Sequence, residues 1–178
     1  MDGRAQSAYP DGISEEHSAP PRGLTRHANP LSLGLLGLLI VLAFAGVLGG
    51  QPQPTKTAET GAARIEVNSP DVIRNGEFFE TRIVVTPRRA FADLVIGVTP
   101  SLWRDLTVNT MIPGAAEESF ADGAYRFSYG PTEAGAPLVI KIDSQINPSL
   151  FGGTSGRFIV YDGEAAVAEL PIAMRVLP

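Results

Sequence analysis

The chain of 178 residues has no cysteine and only two histidines, His17 and His27, both near its N-terminus. The missing cysteine removes disulfides, thiolate nucleophiles, iron–sulfur clusters and cysteine-based zinc sites, and with them any lipid anchor that acylates a cysteine. From Ala63 to Pro178 there is neither His nor Cys. A Ser-His-Asp or Cys-His relay therefore cannot be assembled there, and the imidazole and thiolate ligands favoured by zinc and copper are missing. Lysine is almost as scarce: Lys141 is the only one in that stretch. Its alternation with Leu138, Ile140 and Ile142 reads as an outward-facing strand position rather than half of a Ser–Lys dyad.

Carboxylates are the remaining route to catalysis, and Glu117, Glu118, Asp122 and Glu133 are the candidates for a paired acid and base. Glu117 and Glu118 are adjacent and lie close to Pro113 and Gly114, where a solvated loop is expected. There is no Asp-x-Asp-x-Asp-Gly calcium loop and no Gly-rich phosphate cradle. Gly152, Gly153 and Gly156 read as an irregular loop. The expectation is a protein that is not an enzyme, with no catalytic residue, no cofactor and no metal. Excess charge is small too: the net charge is −5, and residues 63–178 hold ten basic against fourteen acidic side chains. That balance leaves no basic footprint for nucleic acid.

What the sequence does have is one long apolar run. Leu31 to Gly50 carries no charge over twenty residues, which as a helix at about 1.5 Å per residue matches the bilayer core of about 30 Å. A helix apolar on every face needs lipid around it in a chain this small. Pro30 suits its start, and Pro52 and Pro54 its end. The rival reading is a cleaved signal peptide, because Ala43-Phe44-Ala45 has the small-x-small form of a cleavage site. Arg22 and Arg26 precede the run, which places the N-terminus inside and the remainder outside. Gly46 and Gly50 form a GxxxG pair, a candidate for helix pairing.

Residues 1–30 are rich in Pro, Gly, Ser and charge and lack an apolar period, so they read as a disordered cytoplasmic tail. Residues 31–50 form the expected transmembrane helix, and 51–62 a polar linker. From 63 to 178 short alternating runs are separated by Gly, Pro and Asx turns. They cover Arg64–Asn68, Asp71–Arg74, Phe79–Val85, Leu94–Val98, Leu106–Ile112, Ala124–Tyr129, Pro137–Asp143, Arg157–Tyr161 and Ala165–Val176. Asn75-Gly76 and Asp162-Gly163 are the turn signals. Eight or so strands without an amphipathic helix indicate an all-β, immunoglobulin-like β-sandwich. Asp122-Gly-Ala-Tyr125-Arg-Phe127 matches the Asp-x-x-Tyr-x-Cys run of an immunoglobulin strand F, with Phe127 in the cysteine place. Three strands are expected after it, which sets Tyr125 mid-domain and makes the match chance.

Sandwich edges and end loops are the usual contact surfaces, so Phe91, Leu102, Trp103, Pro148, Leu150 and Phe151 are the candidate partner contacts. Trp103 has two readings beside that one, as a glycan-stacking platform or as part of the core and its rim. The stretch Leu106–Pro113, with Glu117–Gly123, Phe127–Gly130 and Gln145–Pro148, resembles uncharacterised bacterial single-pass membrane-anchored proteins. Their exported part is similar to the immunoglobulin-like modules of bacterial surface and adhesion proteins. The resemblance implies a place in the bacterial inner membrane with the domain outside the cytoplasm. It also implies an interaction module beside an integral membrane or envelope protein partner, without catalytic or ligand-binding residues to carry over. The alternative is a cell-surface module that binds a glycan or another ligand.

Overall fold

The computed structural model describes residues 29–48, 53–147 and 152–178, together with residues 13, 17 and 23. The apolar run forms helix α1, Pro30–Phe44. Asn29 caps it: its side-chain oxygen accepts from the Leu31 N–H at 3.0 Å, and Pro30 occupies the first helical position, where no N–H is needed. The helix is shorter than the expected span from 31 to 50. Gly46 adopts φ +74°, a left-handed conformation that ends helices, and 45–48 form a turn. At fifteen residues α1 is about 22 Å long, and among the described residues no helix is long and apolar enough to cross a membrane. None of its side chains is buried; Leu31, Leu35, Leu38, Val41 and Phe44 are all exposed. Gly46 lies beyond the helix, so it cannot serve the expected pairing face, and Gly50 is outside the described residues.

The remainder is a two-sheet β-sandwich, as the alternating runs predict. In chain order its strands are β1 (Thr55–Glu59), β2 (Ala63–Asn68), β3 (Val72–Arg74), β4 (Phe78–Pro87), β5 (Leu94–Val98), β6 (Leu106–Ile112), β7 (Glu117–Ala121), β8 (Ala124–Ser128), β9 (Leu138–Ile146), β10 (Thr154–Asp162) and β11 (Ala165–Leu177). A short helix, α2 (Pro100–Trp103), precedes β6. One sheet has five strands in the order β1-β2-β4-β9-β6, and the other has six in the order β3-β11-β10-β5-β8-β7. All pairings are antiparallel except β3 with β11.

The core lies between the sheets. Ile65, Val67, Ile83, Val85, Ile140 and Ile142 from the first sheet meet Leu94, Ile96, Val98, Phe158, Val160 and Ile172 from the second. These are the alternate positions that the sequence pattern marks, and their burial is what fixes the register.

Several details differ from the sequence reading. The linker at 51–62 contains β1, whose five residues pair with β2 from Thr55↔Asn68 to Glu59↔Arg64. Glu117 and Glu118 lie in β7 rather than in a loop, and Gly156 lies inside β10. Asn75-Gly76 is a turn, but the strands on either side belong to different sheets. Asp162-Gly163 does join a hairpin, β10–β11, with Asp162 opposite Ala165.

Part of the outer face of the six-stranded sheet is packed as well. A Cβ on Gly97 would meet Tyr161 Cε2 at 2.6 Å, because the tyrosine ring lies across the bare glycine. The Arg126 guanidinium covers that ring at 4.4 Å from its centroid, and Val95 and Ile159 pack beside it.

Candidate functional site

β6 is an edge strand of the five-stranded sheet and β7 an edge strand of the six-stranded sheet. In antiparallel pairs, directly opposed residues share a face. Glu118 opposes Phe127 and Phe120 opposes Tyr125, while Phe127 and Tyr125 oppose the core residues Ile96 and Val98 of β5. All four side chains therefore stand on the inner, core-facing side of the six-stranded sheet. Yet Phe120 is 60% exposed and Tyr125 41%. The result is an open groove of about 390 Å³, lined by Trp103, Val108–Met111, Glu118, Tyr125 and Phe127.

The groove is built on an aromatic cluster. Trp103 and Tyr125 are offset-stacked, with centroids 6.2 Å apart and planes at 22°. Phe127 meets Trp103 at 5.5 Å, and Phe120 meets Tyr125 at 5.2 Å. Trp103 is held by α2, and α2 is fastened to β10. Thr154 Oγ1 donates to the carbonyls of Ser101 and Leu102 at 2.8 and 2.9 Å, and the Arg157 N–H donates to Thr99 Oγ1 at 2.9 Å. Gly156 leaves room for the helix: a Cβ there would stand 2.3 Å from Thr99 Oγ1 and 2.9 Å from the Leu102 nitrogen. On the far wall, Tyr129 Oη donates to Met111 Sδ at 3.1 Å, linking the end of β8 to β6.

Glu118 is the only charged side chain lining the groove. Among the described residues it makes no ion pair, and Glu117 makes none either. Burial raises the Tyr129 phenol from its ordinary value to about 12, and the negative charge of Glu118 adds to the rise.

The residues expected as contacts divide. Trp103 is half-buried and lines the groove. Phe91 and Leu102 are each only 2% exposed and belong to the core, so they offer nothing to a partner. Phe91 pairs with Thr132 in an isolated bridge that closes one end of the sandwich, and Leu102 is the inward-facing residue of α2. Pro148, Leu150 and Phe151 lie outside the described residues. Lys141 points outward and meets Glu80 at 3.2 Å. Phe120 and Tyr125, the most exposed inner-face aromatics, are absent from the expected contacts. The signal for them was Asp122-Gly123, a turn that implies a strand on both sides.

No family model matches the sequence, and no curated protein does. Solved β-domains resemble the chain distantly. The chitin-binding domain of a Pyrococcus furiosus chitinase is 13% identical, covering 64% of this chain and 100% of its own, with a TM-score of 0.39. A CARDB domain from the same organism, solved in complex with di-metal ions, is 11% identical over 73% of this chain and 96% of its own, with a TM-score of 0.43. A non-cellulosomal cohesin from Archaeoglobus fulgidus is 10% identical over 64% and 91%, with a TM-score of 0.38. At these scores and identities the likenesses carry no argument about what the chain does.

Proposed function

We propose that the chain is a non-enzymatic interaction module, attached to a membrane by its apolar helix, whose sandwich docks a protein partner in the groove between β6 and β7. The observation that carries this reading is the pair Phe120 and Tyr125. They occupy core-facing positions of the sheet and remain uncovered, which leaves apolar surface that a partner's side chains would remove from water. The membrane part rests on α1, a helix with apolar residues on every side and none of them buried. In this reading α1 is the anchor, in the bacterial inner membrane with the sandwich outside the cytoplasm, and the partner is an integral membrane or envelope protein.

The test is site-specific photo-crosslinking in intact cells. A photoreactive residue at Asn109, in the groove, is compared with one at Glu169, opposite Ile159 on the outer face of the six-stranded sheet. The expected result is one dominant protein adduct from position 109 and none from 169. Equal adducts from both positions, or none from 109, would overturn the docking reading.

A second reading, a glycan or other small ligand, is favoured by the near-parallel rings of Trp103 and Tyr125, which could stack a sugar ring. Trp103 is the only tryptophan of the chain, so its fluorescence reports on the groove alone. Titration with a panel of cell-wall oligosaccharides should shift that emission if this reading holds, and leave it unchanged if it does not.

A further inference from the structure

We infer that the groove takes its partner as an added β-strand, hydrogen-bonded along the free edge of β6, with alternate apolar side chains resting on Phe120 and Tyr125 and a basic side chain facing Glu118. The inference rests on the protein-docking reading above and specifies the form and chemistry of the partner segment.

β6 ends the five-stranded sheet, and the groove beside it opens onto Glu118 of β7 and Tyr125 and Phe127 of β8. A strand added along β6 would face Glu118 and Tyr125, which line the groove, and Phe120, whose ring meets Tyr125 at 5.2 Å. Among the described residues, β6 pairs only with β9, so its other edge presents unpaired backbone donors and acceptors. An extended segment placed there satisfies those groups and covers the exposed rings in one step, which is the physical basis of recognition by strand addition. The edge is seven residues long and contains no proline, which suits a short partner strand.

Glu118 decides between occupants. Among the described residues it is the groove's only charge and has no ion-pair partner, and its field already weighs on Tyr129. A second copy of this chain, adding its own β6, brings Leu106-Thr-Val-Asn-Thr-Met-Ile112, a strand without a basic side chain. That arrangement would cover Glu118 without neutralising it, at a desolvation cost. The register of β6 against β9 also shifts between Val108 and Thr110, and such bulges disfavour flat pairing of two like edges. A foreign segment with Lys or Arg among alternating apolar residues supplies the charge that a second β6 lacks.

The probe is a displayed library of random nine-residue peptides (about the length of a long strand). It is selected on the full-length protein in detergent, with Phe120→Ser, at an exposed position, as the counter-selection. The recovered peptides should alternate apolar residues and carry one Lys or Arg. The best of them should shift the Trp103 emission and slow amide exchange along β6. It should also lose about tenfold in affinity for Glu118→Gln.

Peptides that shift Trp103 but leave β6 exchange unchanged would overturn strand addition while docking stands. So would a library that yields no binder although position 109 still crosslinks a protein in cells. Selected peptides that bind Glu118→Gln as well as the parent would overturn the basic side chain. If no binder is found and position 109 captures no protein, both readings fall.

Discussion

A methyl group on Gly156 would lie 2.7 Å from the Leu102 Cβ and 2.9 Å from its backbone nitrogen, closer than either can accommodate without moving α2. Since α2 carries Trp103, the glycine acts on the groove from a strand that does not line it. Gly156→Ala should lower stability by about 1–3 kcal/mol through overpacking and shift the Trp103 emission. Urea denaturation followed by fluorescence measures both.

A second residue-scale prediction concerns Asp162, at the start of the β10–β11 turn. It accepts from Arg89 and from the Ala92 N–H, and the Arg89 hydrogen bond holds its carboxyl below the usual carboxylate range, against a smaller opposing effect of burial. A depressed carboxyl stabilises the fold above its unfolded pKa of about 4 and loses that contribution as pH falls through its folded value. In Arg89→Ala the Asp162 carboxyl should titrate at higher pH, as followed by carbon NMR, and the variant's acid unfolding should begin at higher pH. An unchanged titration would show that the backbone donors suffice.

At the scale of elements, the β7–β8 hairpin is the one the groove depends on, because β7 supplies both Glu118 and Phe120. Its two-residue loop is Asp122 at φ 49° and Gly123 at φ 73°, joining Ala121 to Ala124. Both central residues have positive φ, the geometry that matches strand twist and selects Asx-Gly. Gly123→Ala should cost about 1 kcal/mol and speed amide exchange in β7 before it affects β10 or β11. Uniform acceleration in all strands would mean that the hairpin has no stability of its own.

The elements that were legible in the sequence share a cause. β2, β4, β9 and β11 bury alternate residues, so water exclusion writes a period of two into them. β1 and β7 were not legible because, unlike the edge strand β6 with Leu106, Val108, Met111 and Ile112, they carry almost no apolar pattern. Thr55–Glu59 and Glu117–Ala121 bury no residue, and the backbone pairing that makes them strands leaves no mark in hydrophobicity. The end of α1 was missed for a different reason: Gly46 belongs to the apolar run by hydropathy and ends the helix by conformation. The site was legible only at Trp103. Phe91 and Leu102 show the limit, since an apolar residue in a loop looks the same whether it plugs the core or faces a partner. Phe120 was hidden by two neighbouring glutamates.

At the scale of the whole molecule, the sandwich carries its own core, whereas α1 buries none of its apolar side chains. Burying such a helix in lipid removes roughly 25 cal/mol of unfavourable contact with water for each Å² of apolar surface. The full-length protein should therefore sediment with membranes, resist high salt and alkaline carbonate, and be released by detergent. Release by salt alone would mean that the helix is covered by protein rather than lipid. The acidic excess of residues 63–178 lies in the connections between strands, while the strands of each sheet balance, so it favours solubility and does not by itself select a partner.

The ring of Tyr161 over Gly97, with the Arg126 guanidinium on top of it, has a consequence for how the molecule meets its neighbours. A bare sheet face invites a second sheet to stack on it, as happens in fibrils and in face-to-face dimers. Here the Tyr161 ring fills the strip over Gly97, and the Arg126 guanidinium, itself buried and paired with the Asp122 carboxylate, roofs that ring, so a second sheet meets a bulky lid where it needs a flat bed. That strip is therefore closed to stacking, while the groove at β6 and β7 remains open.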